Sequence, residues 1–506
     1  MGLSKSRYTL FRQCPKALWM RVHKPELAVV DPSVEARFAA GNEVGDHAMG
    51  LFGDFVEVTA HTEGGLLDLG AMLQKTMQCI ADGVENIAEA SFSFDGNYCA
   101  VDILHKEGEG YAIYEVKSSS HSDSEEVKAK DVEKYAWDIA YQKWVLTQCG
   151  VNVTGTYLVR LNKDYRRYGD LNIQELFVIT DMTEFVKTEY PKVPGNVALA
   201  KRMLEKPEPE REIGSYCKKP YECSFWQYCS RHLPAPEQSV FGLYRMPFTT
   251  ALKHYRNGIE TLEQATDIKL TAMQQLQLSA SLSHKTYANK QGIRQFLKKL
   301  SYPLYFLDFE TMQSALPKYE GTKPYQQITF QYSLHWIEEE GGKLHHTAFL
   351  AEPGGDPRRA LAEQICKDIP LDVCTTAYNK NFECSRLEEL AEAYPDLAYH
   401  LRNISSHIVD LIDPFRAGDY YVPAMNGSFS IKKVLPALFP NEPSLDYHNL
   451  TGGVQNGGDA MDIFPKMEFM SPEDRAHYRQ ALLEYCGLDT YAMVKVWEKL
   501  REVSGK

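Results

Sequence analysis

The sequence predicts an α/β protein with more than one domain, and three observations support this class. The chain has 506 residues, a length that suggests two or three domains. The segments YCAVDIL (98–104), YAIYEVK (111–117) and GTYLVRL (155–161) have strand patterns, and an amphipathic helical stretch at 131–149 precedes the third. A second set of strand patterns, LYFLDF and ITFQYSLHWI, begins near residue 302. Strands that alternate with helices are typical of α/β cores.

The composition is that of a folded protein with an acidic balance. Hydrophobic residues make up 44% of the chain and charged residues 24%, so a large packed core is expected. The formal net charge of −13 argues against non-specific coating of nucleic acid, but it is compatible with an enzyme that has a local basic groove. The N-terminus has no long apolar segment, and no run of 18 apolar residues occurs. We therefore expect a soluble, cytoplasmic protein with no membrane partner.

Two stretches rich in proline and charge interrupt the chain, EKPEPERE at 205–212 and LPAPEQ at 233–238. The second is typical of a domain boundary. Residues 239–300 are then predicted to be mostly helical, in the segments TALKHYRNGIETLEQA, LTAMQQLQLSASL and IRQFLKKL. The predicted domains are therefore 1–235, a helical connector at 236–298, and a C-terminal domain at 299–506.

The first candidate catalytic group lies on two strands of the N-terminal domain. Asp102 is on one strand, and Glu115 and Lys117 share a face of the next because they are two residues apart. Carboxylates are suitable ligands for Mg²⁺ or Mn²⁺, which activate water for phosphodiester hydrolysis, and a neighbouring ammonium stabilises developing charge. The alternative is an exposed hairpin with an ordinary Glu–Lys pair.

The flanking residues carry a family resemblance. Asp102 followed by EVK at 115–117 resembles the core motif of the PD-(D/E)XK nucleases, which have a restriction-endonuclease-like α/β fold. GNEVGDHA (41–48) resembles the glycine-rich helix of their RecB-like branch, which ends in a metal-binding histidine, here His47. YQKWVL (141–146) resembles a motif of that branch that implies Gln142 and Tyr141 near the site and the nucleic acid. For His47 alone, simple packing in a helix is the alternative.

Four cysteines are predicted to hold a structural cluster. Cys217, Cys223 and Cys229 have C-x5-C-x5-C spacing, which suggests a metal but differs from the C-x2-C knuckles of common zinc modules. Three unrelated buried thiols are the alternative. Iron–sulfur members of the RecB-like branch have a fourth ligand in a segment that YTLFRQCPKALW resembles, which implies Cys14 and a [4Fe–4S] cluster that holds residues 1–232 together. Those members often have C-x2-C after the second cysteine, where this chain has x5, so Zn²⁺ stays an alternative.

The second candidate catalytic group is spread over three segments of the C-terminal domain. Asp308 and Glu310 lie two residues apart in YFLDFETM, so a strand places both acids on one face. AYNKNFECSRL carries Glu383, and the predicted helix LLEYCGLDTYAMVKVW carries Tyr485 and Asp489 at i and i+4. Clustered carboxylates repel one another and are costly to bury, and divalent cations compensate that charge.

This order of motifs resembles the DnaQ-like exonucleases of the ribonuclease-H-like fold, in the DEDDy variant where tyrosine replaces histidine in the last motif. The resemblance implies that four acids bind two divalent metals and that the tyrosine orients the attacking water. The implied ligands are Asp308, Glu310, Glu383 and Asp489, with Tyr485 as the assisting residue. Glu383 departs from the family, which usually has aspartate at this position.

Two more segments of this domain resemble the same family. SSHIVDLIDPFR (405–416) is similar to the strand after the second motif, which implies Asp410 near the ligands. GSFSIKKVLPALF (427–439) is similar to a helix near the substrate strand, so Lys432 and Lys433 are candidate phosphate contacts. A solvated helix face is the alternative for both lysines.

The whole arrangement resembles a bacterial family of uncharacterised nucleases that join a RecB-like domain to a DnaQ-like domain. It implies a metal-dependent nuclease with two active sites, the second a 3′→5′ exonuclease. The implied substrate is DNA, including single-stranded DNA, with RNA as an alternative. The implied roles are DNA repair, processing, or defence against foreign DNA. Two other interpretations stay open: that one centre is catalytic while the other binds nucleic acid, or that the protein is a non-enzymatic nucleic-acid-binding protein.

Overall fold

The computed structural model describes residues 2–29 and 33–505, and for Ser33 and Glu35 the backbone alone. The chain forms two compact units, Met1–His232 with Ser314–Gln326, and Leu233–Gln313 with Gln327–Lys506. Both units are mixed α/β structures, which is the predicted class. The predicted domain limits stay a prediction. The compact units differ from them because the connector at 236–298 belongs to the second unit and residues 314–326 group with the first.

The described part of the first unit contains six strands and nine α-helices. The strands are β1 (Val56–Glu57), β2 (Asn86–Phe94), β3 (Asn97–Glu107), β4 (Gly110–His121), β5 (Val153–Asn162) and β6 (Phe177–Asp181). The helices are α1 (Lys5–Gln13), α2 (Pro15–His23), α3 (Ser33–Ala48), α4 (Leu69–Ala81), α5 (Ala129–Gln148), α6 (Ile173–Leu176), α7 (Thr183–Glu189), α8 (Val193–Leu204) and α9 (Trp226–Cys229).

The six strands form one sheet in the order β1-β2-β3-β4-β5-β6. β2, β3 and β4 are antiparallel neighbours, whereas β5 runs parallel to β4 after the crossover through α5. Side chains of β4 alternate between two cores. Ile113 packs in the core that includes α5, while Tyr114 and Val116 pack in the core that includes α3. Glu115 therefore faces the α5 side of the sheet.

Hydrogen bonds to main-chain carbonyls hold residues 314–326 against the rest of the first unit. The Arg167 guanidinium donates to the carbonyls of Pro317 and Lys318, each at 3.1 Å. The Tyr325 hydroxyl donates to the Ser118 carbonyl at 2.8 Å. These hydrogen bonds explain why the segment groups with β4 and β5 rather than with the strands on either side of it in the sequence.

The described part of the second unit contains seven strands and ten α-helices. The strands are β7 (Tyr287–Ala288), β8 (Leu304–Met312), β9 (Ile328–Ile337), β10 (Leu344–Leu350), β11 (Cys374–Ala377), β12 (Ile408–Asp410) and β13 (Tyr420–Tyr421). The helices are α10 (Phe248–Arg256), α11 (Ala272–Ser283), α12 (Lys290–Leu297), α13 (Arg358–Asp368), α14 (Asn381–Ala393), α15 (Ala398–Ser406), α16 (Asp413–Arg416), α17 (Ile431–Leu438), α18 (Gly457–Lys466) and α19 (Pro472–Ser504).

Five of these strands form the main sheet, in the order β10-β9-β8-β11-β12. β8, β9 and β10 are antiparallel, and β11 runs parallel to both β8 and β12. Along β8, Leu307 and Phe309 pack in a core with α13, α14 and α15. The alternate residues face the other side, where the Phe306 ring lies 5.9 Å from the Trp497 ring of α19. Asp308 and Glu310 therefore face α19, as the two-residue spacing predicts.

α19 is the longest described helix, and its ends have clear signals. The Ser471 side chain caps the first turn by accepting from the Asp474 amide, and Pro472 occupies the first helical position. Gly505 ends the helix with φ of 75°, a left-handed conformation that glycine adopts readily. A helix of 33 residues thus carries Tyr485 and Asp489 on a rigid support.

One predicted helix is shorter than expected. The pattern of TALKHYRNGIETLEQA predicts a helix to residue 265, but α10 ends at Arg256. Asn257 caps it, and Gly258 follows with φ of 79°, so the chain leaves the helix at the Asn-Gly pair. Among the helices that the structure describes, none combines the length and the apolar character needed to cross a bilayer.

Candidate active sites

The first acid cluster begins where the β3–β4 ladder ends. The last backbone pair of the ladder is Ile103 with Tyr114. Asp102 and Glu115 are the next residues on the two strands. Beyond it, the Val116 amide donates to Asp102 Oδ2 at 2.7 Å instead of to a strand carbonyl. The two strands separate at this point, and the carboxylates lie between the sheet and α5.

Helix α5 provides two further members of this first acid cluster, Asp138 and Gln142, one turn apart. The Gln142 amide donates to Glu115 Oε2 at 2.6 Å and to Asp138 Oδ1 at 3.1 Å. The Lys117 ammonium hydrogen-bonds to Glu115 Oε1 and lies 3.5 Å from Asp138 Oδ2. Gln142 therefore reaches the predicted site, but it is fully buried and orients Glu115 rather than facing a surface.

A second lysine, Lys5, also belongs to the first acid cluster and was not predicted from the sequence. The ammonium of Lys5, the first residue of α1, lies 3.3 Å from Asp102 Oδ1 and 3.2 Å from Glu115 Oε1. No spacing rule connects residue 5 with residues 102 and 115, so only the fold reveals this contact. The place of Asp138 in the cluster could have been inferred from the sequence, because it precedes Gln142 by four residues on a predicted helix and so shares its face.

The electrostatics of the first cluster reflect these two lysines. Burial opposes the ionisation of Glu115, but the Lys117 and Lys5 ammonium groups outweigh burial and lower its pKa. Burial, followed by repulsion from Glu115, raises the pKa of Asp102, and the same causes raise that of Asp138 to about 6. Glu115 is thus held as a carboxylate, the form that binds a cation.

A fourth acid, Glu89 of β2, also lies near this cluster. Glu89 has a left-handed φ of 57°, a conformation uncommon for glutamate, and it and Asp102 do not pair although the β2–β3 register is the same on both sides. Burial, followed by repulsion from Asp102, raises its pKa to about 7. A strand pattern does not reveal such a local conformation, so Glu89 was not predicted from the sequence.

Two residues predicted near the first site have other surroundings. His47 Nδ1 hydrogen-bonds to the Glu43 carbonyl of its own helix at 2.9 Å, which leaves Nε2 as the atom suited to metal binding. Its role as a ligand stays a prediction. Tyr141 is fully buried, donates to the Leu3 carbonyl at 2.6 Å and stacks on Tyr8. Because it lies in the core, Tyr141 has no surface with which to contact nucleic acid.

The four predicted cluster cysteines come together in the first unit. Cys14 lies between α1 and α2, and Cys217, Cys223 and Cys229 lie in the segment that ends with α9. All four line one small pocket, together with the apolar residues Ala17, Met20, Phe225 and Trp226. Burial raises the pKa of the Cys217, Cys223 and Cys229 thiols, that of Cys223 to about 11. A bound metal would have to stabilise the thiolate forms.

The second acid cluster lies between β8 and α19. Ligand atoms of Asp308, Glu310 and Cys486 are all within 4.8 Å of one another. Cys486 Sγ is 3.9 Å from Asp308 Oδ2. Gly457 begins α18 beside them, and a Cβ placed there would lie 3.5 Å from Glu310 Oε2 and 4.0 Å from the Tyr485 hydroxyl. The strand acids and the helical tyrosine therefore surround one point.

Asp489 joins this second acid cluster through two tyrosines. The Tyr447 hydroxyl donates to Asp489 Oδ1 at 2.6 Å, and hydrogen bonds from Tyr447 and Tyr485 both favour the Asp489 carboxylate. The Lys432 ammonium lies over both tyrosine rings, 5.0 Å from that of Tyr447 and 5.2 Å from that of Tyr485. Tyr447 begins a short 3-10 helix between α17 and α18, and no sequence pattern predicted its place beside Asp489.

Glu383 enters from α14, after a turn that Asp410 organises. The Asn379 and Lys380 amides donate to Asp410 at 2.8 and 3.1 Å, and Asn379 has a left-handed φ of 71°. Glu383 lies in the first turn of the helix that follows. Its Oε2 atom is buried and accepts no hydrogen bond from the described residues. An unpaired buried carboxylate oxygen is available to bind a metal ion. Asp410 thus supports the turn, as its predicted position near the ligands implies.

The acids of the second cluster have no ion-pair partner in the described chain. The charge of Lys432 favours the ionised forms of Glu310 and Asp489, and that of Arg386 favours ionised Glu383, but burial outweighs both. Burial, followed by repulsion from Asp489, raises the pKa of Glu310 to about 8. Burial and then Asp410 raise that of Glu383 to about 8. Burial, then Asp489, Glu310 and Glu383, raise that of Asp308 well above its ordinary value.

The two candidate phosphate contacts on α17 differ. Lys432 is half-buried, donates to the Gln455 carbonyl at 3.2 Å and lies beside the acids through the tyrosine rings. Lys433 is exposed. Only Lys432 is held at the second cluster by contacts that the structure describes.

Part of the chain matches a protein family whose role is undetermined. Residues 305–430 match a domain of unknown function, DUF2779. The matched range contains Asp308, Glu310 and Glu383 and ends before Tyr485 and Asp489. The match therefore covers the strand and turn that present three of the acids, but not the helix that completes the cluster.

Three curated proteins are similar to this chain, and all are uncharacterised. Protein UU173 of Ureaplasma parvum is 29% identical over 194 residues, covering 33% of this chain and 27% of its own length. Protein MG366 of Mycoplasma genitalium is 25% identical over 236 residues, covering 43% and 35% respectively. The MG366 homolog of Mycoplasma pneumoniae is 26% identical over 235 residues, covering 42% and 35%. The chain spans between about a quarter and about a third of the length of these relatives.

Proposed function

We propose that the protein is a divalent-metal-dependent nuclease with two active sites that hydrolyse phosphodiester bonds in DNA, with RNA as the alternative substrate. The observation that carries the proposal is the second acid cluster. Four acidic side chains converge there beside the Tyr485 hydroxyl, and no described cation is paired with any of them. Such a cluster is costly unless divalent cations compensate its charge.

The second site has the donor set of a two-metal exonuclease. Asp308 and Glu310 would hold the metals from the strand, and Asp489 and Glu383 from the two helices. When bound, the metals would activate the attacking water and offset charge on the scissile phosphate. The Tyr485 hydroxyl, close to both Glu310 and Asp489, would orient that water by a hydrogen bond. The antiparallel β8–β9–β10 sheet with two further parallel strands supports a ribonuclease-H-like fold, and the resemblance to DnaQ-like exonucleases is the reason to propose 3′→5′ action.

The first site has the donor set of a PD-(D/E)XK nuclease. Asp102 and Glu115 would hold Mg²⁺ or Mn²⁺, with His47 as a further ligand. Lys117 would bring an ammonium to the reacting phosphate, and Gln142 fixes the Glu115 carboxylate. Three antiparallel strands, a crossover helix and a fourth strand parallel to the third support this fold.

A substrate panel with paired variants tests both sites. Asp102→Asn, Asp308→Asn and the double variant would be assayed with Mg²⁺ and Mn²⁺ on end-labelled single-stranded and double-stranded DNA and RNA. Each single variant should lose one cleavage pattern by at least ~10²-fold, because a metal ligand contributes several kcal/mol to the transition state. The double variant should lose both patterns. Cleavage that persists in the double variant would contradict the proposal.

One observation favours a second candidate function, in which only the second centre is catalytic and the first binds nucleic acid. In the first cluster, Lys5 and Lys117 already pair with the acids, so the cluster has less need of a metal. Under this interpretation Asp102→Asn leaves every cleavage pattern intact, whereas Asp308→Asn abolishes cleavage. The same substrate panel therefore separates the two candidates.

We further propose that the cysteine pocket holds a [4Fe–4S] cluster. All four thiols line one pocket beside apolar residues, which is the donor set that the resemblance to iron–sulfur members of the RecB-like branch implies. Anaerobically purified protein should be brown and contain about four iron and four sulfide ions per chain. Colourless protein with one zinc per chain would contradict this assignment.

A further inference from the structure

We propose that Lys5 competes with the divalent metal at the first acid cluster, so that metal binds there only when the Lys5 ammonium leaves. This inference rests on the proposed metal-binding role of Asp102 and Glu115. It concerns a residue outside the motifs that suggested the site. Its consequence is that the two sites load metal at different concentrations, the first at the higher one.

The position of the Lys5 ammonium carries the inference. It lies 3.3 Å from Asp102 Oδ1 and 3.2 and 3.3 Å from the two oxygens of Glu115. Asp102 Oδ2 is already engaged by the Val116 amide at 2.7 Å. The oxygens available to a bridging metal are therefore the ones that Lys5 contacts.

The protein fixes Lys5 at this position through the residues before it. Leu3 is buried, and its carbonyl accepts from the Tyr98 amide at 2.9 Å and from the Tyr141 hydroxyl at 2.6 Å. The Ser4 side chain then caps α1 by accepting from the Arg7 amide. Lys5 is thus the first residue of a helix whose start is tied to the β2–β3 hairpin and to α5.

A metal ion and the ammonium exclude each other. Mg²⁺ binds carboxylate oxygens at ~2.0–2.1 Å, so an ion shared by Asp102 and Glu115 would occupy the space between oxygens where the ammonium lies. Two cations so close together also repel strongly. The Lys5 side chain is 26% exposed and has a flexible stem, so it can turn toward solvent. Lys117 can remain, because Asp138 also pairs with it.

Mn²⁺ titration of the full chain, with free Mn²⁺ measured by electron paramagnetic resonance, tests the competition. Asp102→Asn identifies which binding class belongs to the first cluster. Lys5→Met should then lower the dissociation constant of that class about tenfold or more, because the metal no longer displaces a charge-assisted hydrogen bond. The class that belongs to the second cluster should not change and serves as the internal reference.

Arg7→Met is the matched control. Arg7 lies on the same helix, and its guanidinium contacts the Gly2 carbonyl at 3.5 Å rather than an acid of the cluster. It should leave both classes unchanged, which separates displacement of Lys5 from a general loss of positive charge. Lys5→Gln, which keeps a hydrogen-bond donor, provides a second variant if Lys5→Met folds poorly, and it should also tighten the first class.

The outcomes distinguish this inference from the proposed function. If Asp102→Asn removes no Mn²⁺ class, the first cluster is not a metal site and the proposed function fails there. If Asp102→Asn removes a class but neither Lys5 variant tightens it, the metal site stands and the competition is wrong. If Arg7→Met tightens the first class as much as Lys5→Met does, the effect is general charge and the competition is equally wrong.

Discussion

The two acid clusters differ in how their charge is compensated. In the first, Lys5 and Lys117 pair with Glu115 and outweigh its burial, so its pKa is lowered. In the second, Glu310 and Glu383 have no ion-pair partner among the described residues, and burial raises the pKa of each to about 8. The first cluster carries its own counter-ions, whereas we propose that divalent cations from solution compensate the second.

A few positions account for this difference. Two residues after Glu115, on the same face of the strand, is Lys117, whereas two residues after Glu310 is Met312. The helix packed over the second cluster contributes a phenol and a thiol, Tyr485 and Cys486, rather than an amine. Lysines thus pair with Asp102 and Glu115 in the first cluster, whereas no ion pair among the described residues does this for the acids of the second.

The largest effects are expected from the groups that differ between the sites, the ammonium and the phenol. Tyr485→Phe should lower kcat of the exonuclease pattern by roughly 10²-fold or more, because proton transfer and water orientation contribute that much. Lys117→Met should lower the other cleavage pattern by a similar factor and leave the exonuclease unchanged. Initial rates with saturating Mn²⁺ on end-labelled DNA measure both.

Mn²⁺ affinity provides the control for the Tyr485→Phe variant, and the two cleavage patterns provide it for Tyr485→Phe and Lys117→Met together. Tyr485→Phe keeps the ring and all four carboxylates, so at about pH 8, where most Asp489 side chains are ionised with or without this hydroxyl, the dissociation constant for Mn²⁺ at the second site should stay within about twofold. If both variants slow the same cleavage pattern, the chain has one active site and the comparison between two catalytic clusters is wrong.

The next effect is on stability, and it has opposite signs for Glu310 in the second cluster and Glu115 in the first. A carboxyl with a raised folded pKa binds more protons when folded than when unfolded, so stability falls as pH rises between the unfolded and folded values. For Glu310 that window runs from about pH 4.5 to about 8. In the presence of a chelator, Glu310→Gln should therefore be more stable than the unmodified protein above pH 8, by on the order of a few kcal/mol.

Glu115→Gln is the counterpart in the first cluster. The lowered pKa of Glu115 means that its stabilising contribution is present above about pH 4.5 and is lost as pH falls through the folded value. Glu115→Gln should destabilise the protein at neutral pH, because it leaves two partly buried ammonium groups with one fewer partner. Thermal unfolding at several pH values measures both variants. If the two substitutions shift stability in the same direction at pH 8, the contrast in charge compensation does not exist.

Divalent metal should stabilise the folded protein mainly through the second cluster, and so reduce the difference in charge compensation between the two clusters. Mn²⁺ at about 100 times its dissociation constant stabilises a one-site protein by ~2.7 kcal/mol. The midpoint of thermal unfolding at pH 8 should rise with Mn²⁺ in the unmodified protein and much less in Asp308→Asn. Asp102→Asn should keep most of the rise, because the first cluster is already compensated. If Asp102→Asn removes the rise instead, the dependence on solution cations lies in the first cluster.

Periodicity predicted the fold class and the same-face pairs well, because both follow from local rules. The two-residue spacing of Asp308 and Glu310 decides their face of β8, and the four-residue spacing of Tyr485 and Asp489 decides theirs on α19. The helix predicted to residue 265 ends at Arg256 instead, because the left-handed conformation of Gly258 after Asn257 stops a helix whose polar–apolar pattern continues.

Residues that act through long-range packing were not predictable. Lys5 reaches its partners only because Leu3 is tied to Tyr98 and Tyr141, contacts that no sequence spacing encodes. Tyr447 begins a short 3-10 helix, and its partner Asp489 is 42 residues away. The burial of Tyr141 was not predictable for the same reason. Tyr141 was predicted from its motif to lie near nucleic acid, yet the packing of α1 against α5 covers it.

The smallest effect is expected at Tyr447, which belongs to the second cluster and has no counterpart in the first. Burial raises the pKa of Asp489 to about 6, and the Tyr447 hydroxyl opposes this by donating to Asp489 Oδ1. Tyr447→Phe removes a hydrogen bond with a net contribution of about 1 kcal/mol, so the pKa of Asp489 should rise further.

Since ~1 kcal/mol corresponds to ~0.7 in pKa, the ionised fraction of Asp489 at about pH 6, and with it Mn²⁺ affinity at the second site, should fall roughly threefold. At about pH 8 most Asp489 side chains would be ionised again, and affinity should recover. Mn²⁺ titrations at the two pH values measure this. An equal loss at both would mean that the hydroxyl orients the carboxylate instead of tuning its ionisation, in which case the second cluster is organised by geometry as the first is by Gln142.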